Sequence, residues 1–322
     1  MNKEERTRLM VEIARMTYEQ NFSQQKIADR LNISRTYVGK LLDRACKEGI
    51  VRITITDPFE DRDTLEHQMK ELFGLEHAVL VPDDDDSPRL GRSAGKAAAD
   101  YMDGILKDGD TVAVAWGGTL LNFAAGVHER KDLKDITVTQ LSGGVSEMSR
   151  NVYASEIPIR ISKRLNGKAC LLPAPAVVEN ARVKDMLMED KSVAETIAAA
   201  EQADIAVFTV GVLDERSAFA RAGYFSDEEL QSLAKRGIVG DVCAHLIDGK
   251  GQICGSEYEK RIIAVPMDRI QSIPVRIGIA YGEYKLQGVY AALRAGYFTA
   301  FVTNTAMAGR LLRRKHLEEK GK

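Results

Sequence analysis

Little in this 322-residue chain invites metal, redox or membrane chemistry. Its four cysteines, Cys46, Cys170, Cys243 and Cys254, lack the close paired spacing of a zinc site or redox motif and read as reduced, mostly buried thiols. The five histidines, His67, His77, His128, His245 and His316, are not spaced to put two on one helical face, so no metal is expected. No run approaches the ~18 consecutive apolar residues of a membrane helix. The opening MNKEERTRLMVEIARM is charged, without the apolar core of a signal peptide, so a cytoplasmic protein with no membrane partner is expected. Neither GK[ST] nor GxGxxG is present, which disfavours a nucleoside triphosphate or dinucleotide, and no cofactor is expected.

What is present is a soluble composition, 44% hydrophobic and 29% charged, in a chain long enough for two domains. Charge is unevenly spread. Residues 1–56 carry 11 Lys and Arg against 7 Asp and Glu, while the rest carry 34 against 40. A basic N-terminal segment suits phosphate, because Lys and Arg supply most non-specific affinity for DNA.

The segment FSQQKIADRLNISRTYVGKLLDRACKEGIVRITI, residues 22–55, supplies a reading element. Ser23 is placed to cap a helix with Ile27, Ala28 and Leu31 on its apolar stripe, and Ser34 to cap a second with Val38, Leu41, Leu42 and Ala45. Asn32-Ile33-Ser34 breaks between them, which is helix-turn-helix geometry. The start of the second helix then meets base edges in the major groove. The DNA-facing residues are Ser34, Arg35, Thr36, Tyr37 and Lys40, with Gln24 and Gln25 of the preceding helix toward the backbone. Arg35 suits guanine, Thr36 a thymine methyl and Lys40 a phosphate. IVRITI, residues 50–55, reads as a strand placed to act as a wing. A DNA-binding domain over 1–56 and a second domain over 57–322 are expected, with operator DNA as partner. PDDDDSP, residues 82–88, reads as a solvated acidic turn, and RRKHLEEKGK, residues 313–322, as a solvated helix end.

From Ala78 onward TVAVA, ITVTQL, ACLLPAP, IAVFTVG, VRIGIA and AFVT alternate with helical segments, the pattern of an α/β domain with a mainly parallel, Rossmann-like sheet. Several strands run into loops of one kind: WGGT, SGGV, AYGEYK and TNTAM. Ligands of such sheets bind at the carboxyl ends of the strands. In WGGT the glycines allow close approach to backbone N–H groups at a helix start, and Thr119 adds a hydroxyl, so the loop suits phosphate or serves only a tight turn. Lys285 opens a helix where the dipole disfavours a cation by roughly 0.3 to 1 kcal/mol. Glu283 or a ligand anion is the expected partner, unless Lys285 is simply solvated.

The stretches SQQKIADRLNISRTYVGKLL, DTVAVAWGGTL, QLSGGV, LPAPAVV, RAGYFS, GIVGDVCAHLID, PVRIGIAYGEYK and AALRAGY together resemble the SorC family of bacterial transcriptional regulators, also grouped with DeoR-type repressors. The resemblance spans nearly the whole chain. It implies an N-terminal helix-turn-helix reader joined to a phosphosugar-isomerase-type domain, related in fold to glucosamine-6-phosphate deaminase and ribose-5-phosphate isomerase. It implies a phosphorylated sugar or polyol as effector, held by Gly117, Gly118, Thr119, Leu120, Gly143, Gly144, Asp241, Glu283 and Lys285. It also implies a homo-oligomer, dimer or tetramer. Asp241 either accepts hydrogen bonds from sugar hydroxyls or caps a turn.

The leading expectation is a repressor of a carbohydrate operon, its operator affinity altered by a sugar phosphate. The rival is a sugar-phosphate isomerase or deaminase with an added DNA-binding arm, for which Glu283, Asp241 and Lys285 are the candidate acid and base groups. A third reading makes the second domain an oligomerisation platform alone.

Overall fold

Ser23 and Ser34 each start a helix in the computed structural model, which describes residues 3–51, 62–144, 154–214, 216–221 and 224–320. The chain divides into two units, Met1–Phe59 and Glu60–Lys322. In the first, α1 (Lys3–Tyr18) precedes α2 (Gln24–Leu31) and α3 (Arg35–Lys47). Ser23 Oγ accepts the Lys26 N–H at 3.2 Å and Ser34 Oγ accepts the Tyr37 N–H at 3.1 Å, satisfying donors that a helix start leaves orphaned. Asn32 ends α2 in the left-handed region, φ 52°. Met10, Ile13 and Met16 of α1 pack with Ile27, Val38, Leu41 and Ala45, so α1 completes a core that two short helices would leave open. Ile50 and Val51 of the expected wing pack on this core; residues 52–55 lie outside the described residues.

The second unit runs α4 (Arg62–Phe73), β1 (His77–Val81), α5 (Ser87–Ile105), β2 (Thr111–Val114), α6 (Gly118–Gly126), β3 (Thr137–Gln140), α7 (Glu156–Arg164) and β4 (Lys168–Cys170). It continues through α8 (Ala181–Met188), α9 (Lys191–Glu201), β5 (Ile205–Phe208), β6 (Val210–Gly211), α10 (Ala218–Arg221), α11 (Asp227–Lys235), β7 (Ile238–Val242) and β8 (His245–Asp248). Last come α12 (Ser256–Glu259), α13 (Met267–Ser272), β9 (Val275–Ile279), a 3-10 turn Glu283–Lys285, α14 (Leu286–Arg294), β10 (Ala300–Asn304) and α15 (Thr305–Lys320).

Seven strands form a parallel sheet in the order β1-β10-β9-β5-β2-β3-β4. Ile205, Ala206, Val207 and Phe208 of β5 are all buried, as a strand covered by helices on both faces requires. The chain moves outward from β2 through β3 to β4, then returns to the other side of β2 at β5. The connections leaving the carboxyl ends of neighbouring β2 and β5 therefore run to opposite sides, the switch point where such sheets open a cleft. β6, β7 and β8 form a separate antiparallel sheet.

Four expectations change. IAVFTVG is two strands in two sheets, broken at Thr209. ACLLPAP keeps only its start as strand β4. TNTAM is the direct junction of β10 and α15, with no loop between them. The first aspartate of the acidic turn does structural work: Asp83 Oδ1 accepts the Asn304 Nδ2–H at 2.6 Å and the Ala306 N–H at 3.0 Å, anchoring the start of α15.

Candidate functional site

A cleft of about 550 Å³ opens at the carboxyl ends of β2 and β5. One wall is the start of α6. Gly117 has φ 114°, a conformation open in practice only to glycine, and α6 begins there without a side-chain cap. Gly117 and Gly118 have no atom within 4 Å of where a Cβ would stand; Thr119 also lines the cleft. α6 is set close against α5 because Gly95 leaves room for it: a Cβ at Gly95 would lie 2.5 Å from the Asn122 carbonyl carbon. The unpaired amides at a helix start carry partial positive charge, so this wall suits an anion.

The floor holds Lys285 and Asp241. Lys285 ends the 3-10 turn ahead of α14, at the positive end of that helix, and its Nζ donates to Thr209 Oγ1 at 3.1 Å. Removal from water pushes the Lys285 ammonium down to about 8, and the Asp241 carboxylate pulls it partly back. Desolvation likewise raises Asp241 to about 6, opposed by a hydrogen bond from the Ala244 N–H and by the charges of Lys285 and His245. Asp241 thus caps the β7–β8 turn and also lines the cleft.

That turn is unusual. Val242 pairs with His245, leaving Cys243 (φ 49°) and Ala244 (φ 78°) both left-handed in a two-residue connection, the form that matches the twist of the flanking strands but normally takes Asn and Gly. Burial pushes the Cys243 thiol well up, away from reactive thiolate. Behind the turn, buried His245 is held at both ring nitrogens, Nδ1 2.9 Å from Glu259 Oε2 and Nε2 2.9 Å from the Val265 carbonyl.

Of the nine effector residues expected, Gly117, Gly118, Thr119, Asp241 and Lys285 meet in this cleft. Leu120, Gly143, Gly144 and Glu283 do not line it. Leu120 is buried in the main core, because helical periodicity turns it inward. Gly143 is a packing glycine whose Cβ would lie 2.5 Å from Pro175 backbone, and the amides of Gly143 and Gly144 bond the Ile263 and Ala174 carbonyls. Glu283 is exposed and pairs with Arg310 of α15 instead of Lys285. The acid-base trio of the enzyme reading is thereby separated.

Besides Trp116 of WGGT, the cleft takes in Thr209 and Arg216, which the sequence did not single out. Thr209 stands one residue past β5, where the strand-end rule points. Arg216 pairs with Asp214 and lies 4.4 Å over the Tyr284 ring, with no sequence pattern to announce it. Trp116 donates its Nε1–H to Ser142 Oγ at 3.0 Å and the Gly143 carbonyl at 2.9 Å.

In the first unit, Gln24, Gln25, Ser34, Arg35, Thr36 and Lys40 are exposed, and Tyr37 is half-buried against the core. Ser34 Oγ is occupied as the cap, and Gln25 Nε2 donates to Asp29 at 2.8 Å. Among the described residues no group of three or more His, Cys, Asp or Glu is placed to hold a metal ion, and no helix is long and apolar enough to cross a membrane.

Residues 57–313 match the family described as "Putative sugar-binding domain". The chain is 36% identical over 310 residues to the deoxyribonucleoside regulator of Bacillus subtilis, covering 96% of this chain and 98% of the relative. It is 27% identical over 315 residues to the sorbitol operon regulator of Klebsiella pneumoniae, covering 97% and 100%. The crystal structure of full-length SorC, the sorbitol operon regulator from Klebsiella pneumoniae, superposes with a TM-score of 0.73 at 28% identity, covering 95% of this chain and 98% of that one.

Proposed function

The chain belongs to the SorC-type sugar-binding transcriptional regulators, a regulator and not an enzyme, and on that premise we propose that a phosphorylated sugar in the cleft changes its affinity for operator DNA. The observation that carries the effector class is the meeting of an uncapped helix start at Gly117–Thr119 with the desolvated Lys285 and Asp241 in one cleft. The amides and the ammonium supply donors for phosphate, and the carboxylate accepts from sugar hydroxyls. Arg35, Thr36, Tyr37 and Lys40 read the operator, with Gln24, Gln25 and Ser34 beside them, in a cytoplasmic repressor that acts as a dimer or tetramer.

Linkage supplies the mechanism: an effector that binds the DNA-incompetent arrangement better by roughly 1 to 3 kcal/mol lowers operator affinity about 5- to 150-fold. Calorimetric titration with a panel of sugar phosphates and their unphosphorylated parents tests the effector class. The reading requires that a phosphorylated member binds, that its parent binds at least about tenfold more weakly, and that Lys285→Ala abolishes the difference. Equal binding of parent and phosphate would refute it. Sedimentation showing only monomer at micromolar concentration, with or without DNA, would remove the oligomer.

A further inference from the structure

Part of the cleft's lining is aromatic. Trp116 is the residue immediately before the anion-suited Gly117–Thr119 turn, and Phe219 of α10 lines the cleft beside it. The indole is held on two sides. Its Nε1–H is bonded to Ser142 Oγ and the Gly143 carbonyl, and Phe219 meets it edge-on, ring centroids 5.2 Å apart and planes at 71°. Trp116 packs against both hydrophobic clusters of this unit, so the position of the ring is set by the core. With its one donor already committed, the indole offers a ligand carbon surface alone.

An occupant of this cleft therefore meets three different chemistries: amides for an anion at one end, carboxylate, ammonium and hydroxyl groups at the floor, and a flat apolar face. A closed sugar ring presents that combination, with C–H bonds on one face and hydroxyls at the rim. An open-chain polyol spreads hydroxyls along its whole length, and ordering it against a flat surface costs rotational freedom. We propose that Trp116 is a stacking platform that selects phosphorylated sugars in closed-ring form over open-chain isomers of the same length. The proposal rests on the cleft being the sugar-phosphate site.

Trp116 is the one tryptophan in the chain, so tryptophan emission from the full-length protein reports on this wall directly. The test compares two pairs of probes by emission and calorimetry: methyl β-ribofuranoside 5-phosphate with ribitol 5-phosphate, and 1,5-anhydroglucitol 6-phosphate with glucitol 6-phosphate. The expected result is that in at least one pair the locked ring binds about fivefold or more tightly than its open partner and shifts the emission. Trp116→Leu should bring that ratio close to one, with Trp116→Phe intermediate and operator binding retained in both. The wild-type ratio is informative even if a variant fails to fold.

Equal or tighter binding of the open-chain partners overturns the platform while leaving the sugar-phosphate site standing, as does a ring preference unchanged in folded Trp116→Leu. Tighter binding of adenosine 5′-monophosphate than of either locked ring assigns the wall to a base and also overturns it. Binding of neither pair, with operator binding intact, removes the site reading and the platform together.

Discussion

Gly211 of β6 and Asp241 of β7 face each other so closely that a Cβ on Gly211 would lie 1.9 Å from Asp241 Oδ1. The missing side chain is the space in which the carboxylate sits. Gly211→Ala should expel Asp241 from its place beside Ala244 and Lys285. Overpacking of this kind costs about 1–3 kcal/mol of stability, read by chemical denaturation. Effector affinity should fall while operator affinity in the absence of effector stays within about twofold. A variant that binds effector as well as wild type would remove Asp241 from the site.

The floor of the cleft titrates in the neutral range. Lys285, lowered to about 8, loses its proton just above physiological pH in the free protein. A bound phosphate favours the ammonium, so binding takes up a proton once the pH exceeds about 8. Effector affinity should then fall as pH rises from 8 to 9.5, by up to about tenfold per unit. Lys285→Arg, which stays charged, should flatten the profile. A wild-type affinity that is level across this range would contradict the placement of the anion beside Lys285.

Folding stability responds to the same groups with opposite signs. Asp241, raised to about 6, favours the native state only while protonated, so its contribution is lost as pH rises from about 4 to 6. For Lys285 the cost of burying the ammonium is present below about 8 and fades as pH rises beyond it. Both costs overlap between pH 6 and 8. Asp241→Asn combined with Lys285→Met should therefore leave stability at pH 7 unchanged or higher, while losing effector; a loss of several kcal/mol in urea melts would show that the pair stabilises the fold.

On the DNA side, Arg35→Ala should cost roughly 1–3 kcal/mol of operator affinity and relax specificity at one base position. Lys40→Ala should weaken all sequences alike and reduce the salt slope by about 1. Ser34→Ala acts by another route, removing the cap on the Tyr37 N–H and destabilising the N-terminal unit by about 1 kcal/mol. Competition titrations at several salt concentrations, paired with thermal melts, separate these three behaviours.

The parts of the fold that could be read in advance are those whose residues state their own geometry. Ser23 and Ser34 are cap residues, and the β-branched runs of β2, β5 and β9 are recognisable strands. The β7–β8 turn was hidden because neither Cys243 nor Ala244 is a residue that advertises left-handed backbone. Glu283 and Lys285 looked paired because they are two apart, but residues at that spacing in a helical turn do not face each other, and only the fold brings Arg310 to Glu283. Glycines misled in a similar way: those at 117 and 118 border open space, whereas Gly143 is required by the backbone pressed against it.

One coupling is central to this regulator, that between the cleft and the operator. Its most direct test is fluorescence anisotropy of labelled DNA from upstream of the protein's own operon, titrated at fixed salt with wild type and Lys285→Ala, with and without pooled sugar phosphates. One pool should weaken operator binding by wild type about 5- to 150-fold, while Lys285→Ala should bind the DNA normally but not be released. Operator binding indifferent to every pool, or release of Lys285→Ala like wild type, would contradict that coupling.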